Sequence, residues 1–109
     1  MESVNYPSDF VKVLADHEAV LACFTAKSCS VCHALKPKLE AMQSESFPKL
    51  KMVSVESDEY PELAAYNRVF AAPTVIVFFS GRETIRKSGS FGLAELKSEI
   101  QRLYSLCFK

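Results

Sequence analysis

The sequence has no excess of either charge, no long apolar run and no repeated or low-complexity segment. Thirteen basic residues balance thirteen acidic ones. A chain without net charge creates no long-range field that would attract phosphates, so nucleic acid and anionic membranes are not expected as partners.

Export and membrane signals are also missing. The first ten residues, MESVNYPSDF, lack the basic run and apolar core of a signal peptide. The longest apolar run, around VIVFF, is far too short to span a bilayer. We therefore expect a cytoplasmic protein. A length of 109 residues with 49% hydrophobic and 24% charged residues predicts one soluble domain covering residues 1–109.

Apolar periodicity predicts a regular order of helices and strands. Residues recurring at intervals of three or four indicate helices, and short continuous or alternating apolar runs indicate strands. Ser8 is the expected N-cap of the first helix. The predicted elements are a helix to about residue 17, a strand at 19–24, a helix at 30–44, a strand at 51–56, a short helix near 59–67, a strand at 74–79, a turn at 80–81, a strand at 83–88 and a helix at 93–107.

This order predicts the fold class. The runs AVLACF and TVIVFF do not alternate, and such strands are usually covered on both sides by crossover helices. Strand, helix, strand, helix, hairpin and helix together indicate an α/β protein with a central mixed β-sheet flanked by helices on both faces.

Two of the four cysteines are clustered in the stretch AKSCSVCHAL, as Cys29 and Cys32. Cys29 is predicted at the N-terminal edge of a helix, where free N–H groups and a partial positive charge favour a thiolate. Cys32 is one turn further along, within reach of Cys29 and less exposed. This arrangement predicts a redox dithiol in which Cys29 attacks a substrate disulfide and Cys32 resolves the mixed disulfide.

The same letters also fit a metal site and a c-type haem attachment. A structural zinc takes four ligands, but beyond Cys29, Cys32 and His33 the chain offers no second paired motif at a recognisable spacing. CSVCH matches the haem attachment pattern, although that attachment is normally made outside the cytoplasm. The context favours the dithiol, with no metal and no bound cofactor expected.

Two longer segments carry a family resemblance. VLACFTAKSCSVCHALKPKLE, followed by VFAAPTVIVFFSGRETIRKSG, resembles the thioredoxin family from about Ser8 to Leu106. The resemblance implies a thioredoxin fold and thiol–disulfide exchange with protein or peptide disulfides, without a bound cofactor. Electrons would come from a separate reductase or a small thiol, and a monomer is expected.

The resemblance also assigns positions around the dithiol. Cys29 matches the family's nucleophile and Cys32 its resolving thiol. Pro73 matches the family's cis-proline, so the Ala72–Pro73 bond is expected to be cis, which is otherwise a minority state. The backbone of Ala72 would then pair with an extended substrate segment. Gly89 matches a glycine on the rim of the same groove.

Several positions depart from the family pattern. Ser28 stands where the family has a tryptophan, and Ser30 and Val31 replace Gly-Pro between the cysteines. The family's buried acid falls on Cys23, and its usual lysine partner falls on Ser54. In the family that acid helps to deprotonate the buried cysteine, and this chain lacks it. Two alternatives to an efficient enzyme therefore stay open: a binding or chaperone-like module with idle thiols, and a slow redox sensor.

Some marked residues have two interpretations each. Cys23 is either a small core residue or a third thiol that takes over the disulfide. Lys27 and His33 are either solvated surface residues or groups that modulate the pKa of Cys29. Phe70 is either core or, together with Ala71 and Ser28, part of an exposed landing surface for protein substrates. Cys107 is expected to serve packing.

Overall fold

The computed structural model describes residues 1–109. Its elements, in chain order, are β1 (Glu2–Ser3), α1 (Pro7–Asp16), β2 (Ala19–Thr25), α2 (Ser30–Ser46), β3 (Lys51–Glu56), α3 (Pro61–Tyr66), β4 (Thr74–Phe79), β5 (Arg82–Ser88) and α4 (Leu93–Cys107). The strands form one sheet in the order β1-β3-β2-β4-β5. β1, β3 and β2 run parallel, and β4 and β5 are antiparallel to their neighbours. The predicted mixed sheet is confirmed.

The start of the chain differs from the prediction at two points. Ser8 is not the N-cap of α1, because the helix begins at Pro7 and Tyr6 is the capping residue. Proline suits the first helical position, where its fixed φ is helical and its missing N–H costs no hydrogen bond. The residues before α1 contribute β1, and the Val4 N–H donates to the Ser54 carbonyl over 2.9 Å.

Two apolar clusters lie on opposite faces of the sheet. Neighbouring strand residues point to opposite faces, so Cys23 and Met52 join one cluster while Val53 and Val55 join the other. The first cluster packs under α2 and α4, and the second packs under α1 and α3. Helices therefore cover both faces, as the continuous apolar strands predicted. No helix combines the length and apolar character that crossing a membrane requires.

The β4–β5 hairpin closes one edge of the sheet. Ser80 and Gly81 form the turn with φ values of 54° and 76°, the left-handed conformation that two-residue hairpin turns need. The pairing of the two strands is irregular between Val77 and Phe78. In β5 only Ile85 is buried. The outward side of this edge strand is therefore polar and strongly charged.

Phe10 links α1 to the sheet, and its replacement by alanine should be strongly destabilising. Its ring is fully buried between Phe24 and Phe78, with centroid distances of 6.3 and 5.5 Å. Phe10→Ala removes this packing and leaves a cavity, so we expect the free energy of unfolding in urea to fall by about 3–5 kcal/mol. Val11→Ala, at a half-exposed neighbouring position, should change it by less than about 0.5 kcal/mol. Similar losses in both variants would contradict the assigned core role.

Candidate active site

The predicted site residues lie at one end of the two central strands, β2 and β4. β2 and β4 are antiparallel, with Phe24 opposite Thr74. The segment that follows β2 toward Cys29 and the segment that precedes β4 at Pro73 therefore lie at the same end of these strands. The strand pairing brings together two segments that are more than forty residues apart in sequence.

Cys29 and Cys32 form a disulfide across the first turn of α2, with Cα atoms 5.3 Å apart. Cys29 is the N-cap of α2, and the backbone N–H of Cys32 donates to its Sγ over 3.2 Å. Cys29 is partly exposed, whereas Cys32 is fully buried. In the reduced state the same N–H and the helix dipole favour a thiolate at Cys29. The two sulfurs therefore differ in access.

The two flanking residues expected to tune Cys29 are held in place by other contacts. The carbonyl oxygen of Lys27 can only accept, so the His33 Nε2–H donates to it over 2.9 Å and ties the first turn of α2 to the preceding loop. The Lys27 ammonium forms an ion pair with Glu59, and this contact raises the pKa of the lysine. The exposed Lys27 ammonium is therefore paired with a carboxylate of the turn after β3.

The Ala72–Pro73 bond is cis, as predicted. The hydroxyl of Thr74 donates to the Ala71 carbonyl over 2.8 Å, and the Gly89 N–H donates to the Pro73 carbonyl over 2.9 Å. Gly89 has a φ of 70°, which L side chains rarely adopt, so the requirement for glycine here comes from the backbone. These bonds fix the loop on both sides of the cis bond and place Gly89 beside it, while Ala72 stays partly exposed.

An apolar groove of about 400 Å³ adjoins this loop. Its walls come from the end of β2, the turn after β3, α3 and the loop before Pro73, and include Ala26, Asp58, Pro61, Val69 and Ala72. Phe70, also part of the wall, is 88% exposed, which excludes the core interpretation of this residue. Ser28, which directly precedes Cys29, is also exposed. The loop before Pro73 therefore presents an exposed aromatic ring beside an apolar groove.

Cys23 and Ser54 lie directly opposite each other on β2 and β3. The two positions that the resemblance paired are thus neighbours, but both side chains are uncharged here. Cys23 is fully buried, and burial raises the pKa of its thiol to about 11, with a further increase from Glu56 and an opposing effect from Lys36. At neutral pH Cys23 is a neutral thiol, which fits its interpretation as a core residue.

Glu56 is a polar residue of this region that the sequence analysis did not select. It lies at the end of β3 opposite Thr25, whose hydroxyl reaches its Oε1 over 3.3 Å. Its Oε2 is buried and has no hydrogen-bond partner. The alternation in KMVSVE placed Glu56 on the same face as Met52 and Ser54. The sequence signal that indicates Glu56 is a carboxylate on a strand face whose other residues are buried.

The remaining donors do not gather around the dithiol. Cys107 is partly buried against the cluster under α2 and α4, as expected of a packing residue. No three His, Cys, Asp or Glu side chains lie close enough together to hold a metal ion.

The raised pKa of Cys23 should make stability depend on alkaline pH. The thiol titrates near 9.0 in an unfolded chain and near 11 in the folded protein. Between these values the folded state retains a proton that the unfolded state releases, so this contribution is complete below pH 9 and is lost as pH rises to 11. The loss should be about 2–3 kcal/mol.

Urea unfolding of the oxidised protein from about pH 8.5 to 11 measures this loss. Cys23→Ala should remove this part of the pH dependence, whereas Cys107→Ala should keep it. Equal pH dependence in wild type and Cys23→Ala would show that Cys23 titrates normally.

Comparisons with known proteins agree with this geometry. The thioredoxin family model matches residues 3–102. The thioredoxin-like protein YdfQ of Bacillus subtilis is 28% identical over 98 residues, covering 90% of this chain and 84% of YdfQ. A bifunctional thioredoxin reductase/thioredoxin of Mycobacterium leprae is 33% identical over 93 residues, which is 85% of this chain and 20% of that protein.

A solved thioredoxin structure extends the likeness to the fold. The X-ray structure of Fasciola hepatica thioredoxin superimposes with a TM-score of 0.84 at 29% identity, covering 94% of this chain and 98% of that one. The family match, the disulfide at the start of α2 and the cis-proline opposite it lead to one conclusion: the chain belongs to the thioredoxin family of thiol–disulfide oxidoreductases.

Proposed function

We propose that Cys29 and Cys32 exchange disulfides with protein or peptide substrates in two steps. The Cys29 thiolate attacks a substrate disulfide, forming a mixed disulfide and releasing one substrate sulfur as a thiolate. Cys32 then loses its proton and attacks Cys29, which releases the second substrate sulfur and leaves the Cys29–Cys32 disulfide. The observation that carries this assignment is the unequal access of the two sulfurs, one capping α2 and the other fully buried.

Substrate binding is proposed along the cis-proline loop. An extended segment would pair with the backbone of the partly exposed Ala72 and would pass Pro73, Gly89 and Ser28 on its way to the dithiol. Phe70 and the adjoining groove would receive an apolar side chain of the same segment. The loop is fixed by hydrogen bonds on both sides of Pro73, so little ordering is needed when a substrate binds.

The electron donor is proposed to be a separate reductase or a small thiol. The name of the M. leprae relative, in which a thioredoxin reductase and a thioredoxin form one protein, supports a reductase. We further propose that residues 1–109 act as one monomeric domain in a reducing compartment such as the cytoplasm. The two unpaired cysteines, Cys23 and Cys107, suit such an environment.

Single cysteine variants test the order of attack. Cys32→Ser should accumulate mixed disulfides with insulin, because Cys29 can attack but nothing resolves the product. Cys29→Ser should accumulate none and should reduce insulin no faster than the added dithiothreitol alone. Nonreducing electrophoresis and insulin turbidity report the two outcomes. Equal trapping by both variants would overturn the roles, and wild-type turnover independent of Cys29 would favour the binding module.

Substitution of Phe70 tests the landing surface. Phe70→Ser should raise KM for insulin about tenfold, since about 1.4 kcal/mol of lost apolar contact changes an affinity by that factor. Its rate with a small aromatic disulfide, which does not span the groove, should stay within about twofold. Tyr66→Ser is the matched control, because Tyr66 is 57% exposed on the neighbouring helix. A fall with both substrates would place the effect on the dithiol instead.

A further inference from the structure

The guanidinium of Arg86, on β5, joins this edge strand to the end of α3. Its Nη1 donates to the Arg68 carbonyl over 3.2 Å, and its Nη2 donates to the Asn67 carbonyl over 2.7 Å. Asn67 is the C-cap of α3, and Arg68 follows it directly. No backbone N–H donates to either carbonyl. Arg86 therefore satisfies two carbonyl groups that the end of the helix leaves without a backbone partner.

Glu83 fixes the orientation of this guanidinium. Arg86 Nε donates to Glu83 Oε2 over 2.7 Å and Nη2 donates to Oε1 over 2.8 Å, and such a two-point contact sets the plane of the group. These hydrogen bonds lower the pKa of Glu83, so its carboxylate stays ionised at neutral pH. An exposed ion pair of this kind adds little to stability, but here it aims the other guanidinium N–H groups at the two carbonyls.

Arg68 has a backbone conformation that needs support from its surroundings. Its φ is 55°, in the left-handed region that glycine usually occupies after a helix. The Arg68 N–H donates to the Ala65 carbonyl over 2.9 Å, and the Val69 N–H donates to the Ala64 carbonyl over 2.9 Å. The chain thus turns sharply out of α3 at Arg68, and Arg86 binds the carbonyl of the turning residue.

β5 also holds the other end of the loop between α3 and β4. The Ser88 hydroxyl lies 3.1 Å from the hydroxyl of Thr74, the residue after the cis-proline. Between the two attachments, Val69 is buried and Phe70 is 88% exposed. The loop that carries Phe70 is therefore fastened to β5 at both ends, by Arg86 at its start and by Ser88 at its end.

We propose that Arg86, oriented by Glu83, is a positioning residue for substrate binding. It holds the turn out of α3 so that Phe70 stays in place beside the apolar groove. This inference rests on the proposed function and adds a determinant of affinity that lies outside the dithiol and the cis-proline loop. A mobile loop binds substrate only in the fraction of molecules in which it is correctly placed, and the apparent affinity falls by that fraction.

Amide hydrogen exchange tests the attachment without reference to activity. In Arg86→Gln the amides of Arg68 and Val69 should exchange at least about tenfold faster, because the turn that they close opens locally. Glu83→Gln should increase the same exchange by a smaller factor. Arg82→Gln removes the same charge from an exposed position of β5 and should change neither amide. Unchanged exchange at both amides in Arg86→Gln and Glu83→Gln would overturn the proposal.

Insulin reduction tests the consequence for substrate binding. Arg86→Gln should raise KM for insulin about three- to tenfold, the range that ordering one flexible side chain costs. Its kcat, and its rate with 5,5′-dithiobis(2-nitrobenzoate), should stay within about twofold, because the dithiol is untouched. Arg86→Lys should recover little of the affinity, since an ammonium group cannot reproduce a planar contact with two carbonyls and a carboxylate. An unchanged KM, or an equal loss with both substrates, would exclude the positioning role.

A double variant shows whether Arg86 acts through Phe70. In a Phe70→Ser background, Arg86→Gln should raise KM by less than about twofold, because the ring that it positions is already gone. Effects that multiply would mean that Arg86 acts elsewhere, against the proposal. Wild-type protein that reduces neither insulin nor the small disulfide would contradict the proposed function itself, whereas amide exchange would still report how the loop is held.

Discussion

β2 and β4 pair in antiparallel fashion over six residue pairs, from Ala19 opposite Phe79 to Phe24 opposite Thr74. This pairing is the central constraint of the molecule, because each strand leads directly into one half of the site. Both strands are buried along their whole length, so a slip by one residue would turn an entire row of side chains to the wrong face. The register that packs the core therefore also positions the dithiol opposite the cis-proline loop.

A small polar region lies on the otherwise apolar sheet face that α2 covers. The Cys29 sulfur accepts a hydrogen bond from a backbone N–H in the first turn of α2, and Cys32 is fully buried. Where the family has a charged acid and lysine, this chain has Cys23 and Ser54, which lie opposite each other and carry no charge. Negative charge enters the region instead at the end of β3, with Glu56.

Periodic features of the sequence predicted most of the fold. The continuous apolar runs gave β2 and β4 almost to the residue, and the helical spacing gave α2 and α4, because burial on a sheet or helix face imposes a period on the sequence. β1 was not predictable, since a two-residue strand has no period. The positions of Cys29 at the start of α2 and of Cys32 one turn further along followed from local helix geometry. The cis state of Pro73, in contrast, came only through the family resemblance.

Features that depend on what covers a residue could not be predicted in the same way. Alternation placed Glu56 on a definite face, but whether its carboxylate is buried depends on how α2 packs against that face. The sequence left Phe70 equally open to burial and exposure, because a single aromatic residue in a loop has no neighbours in sequence that determine its environment. Here the local pattern is compatible with both outcomes and tertiary packing decides.

The two edge strands of the sheet, β1 and β5, determine whether a second molecule can extend it. β1 offers only two residues to a potential neighbour. β5, beyond an irregular pairing with β4, carries Arg82, Glu83, Arg86 and Lys87. A second molecule that added a strand to the sheet would have to pair with the short β1 at one edge or with the charged, irregularly paired β5 at the other. Both edges therefore disfavour the addition of a further strand, so concentrated solutions of the folded protein should resist fibril growth.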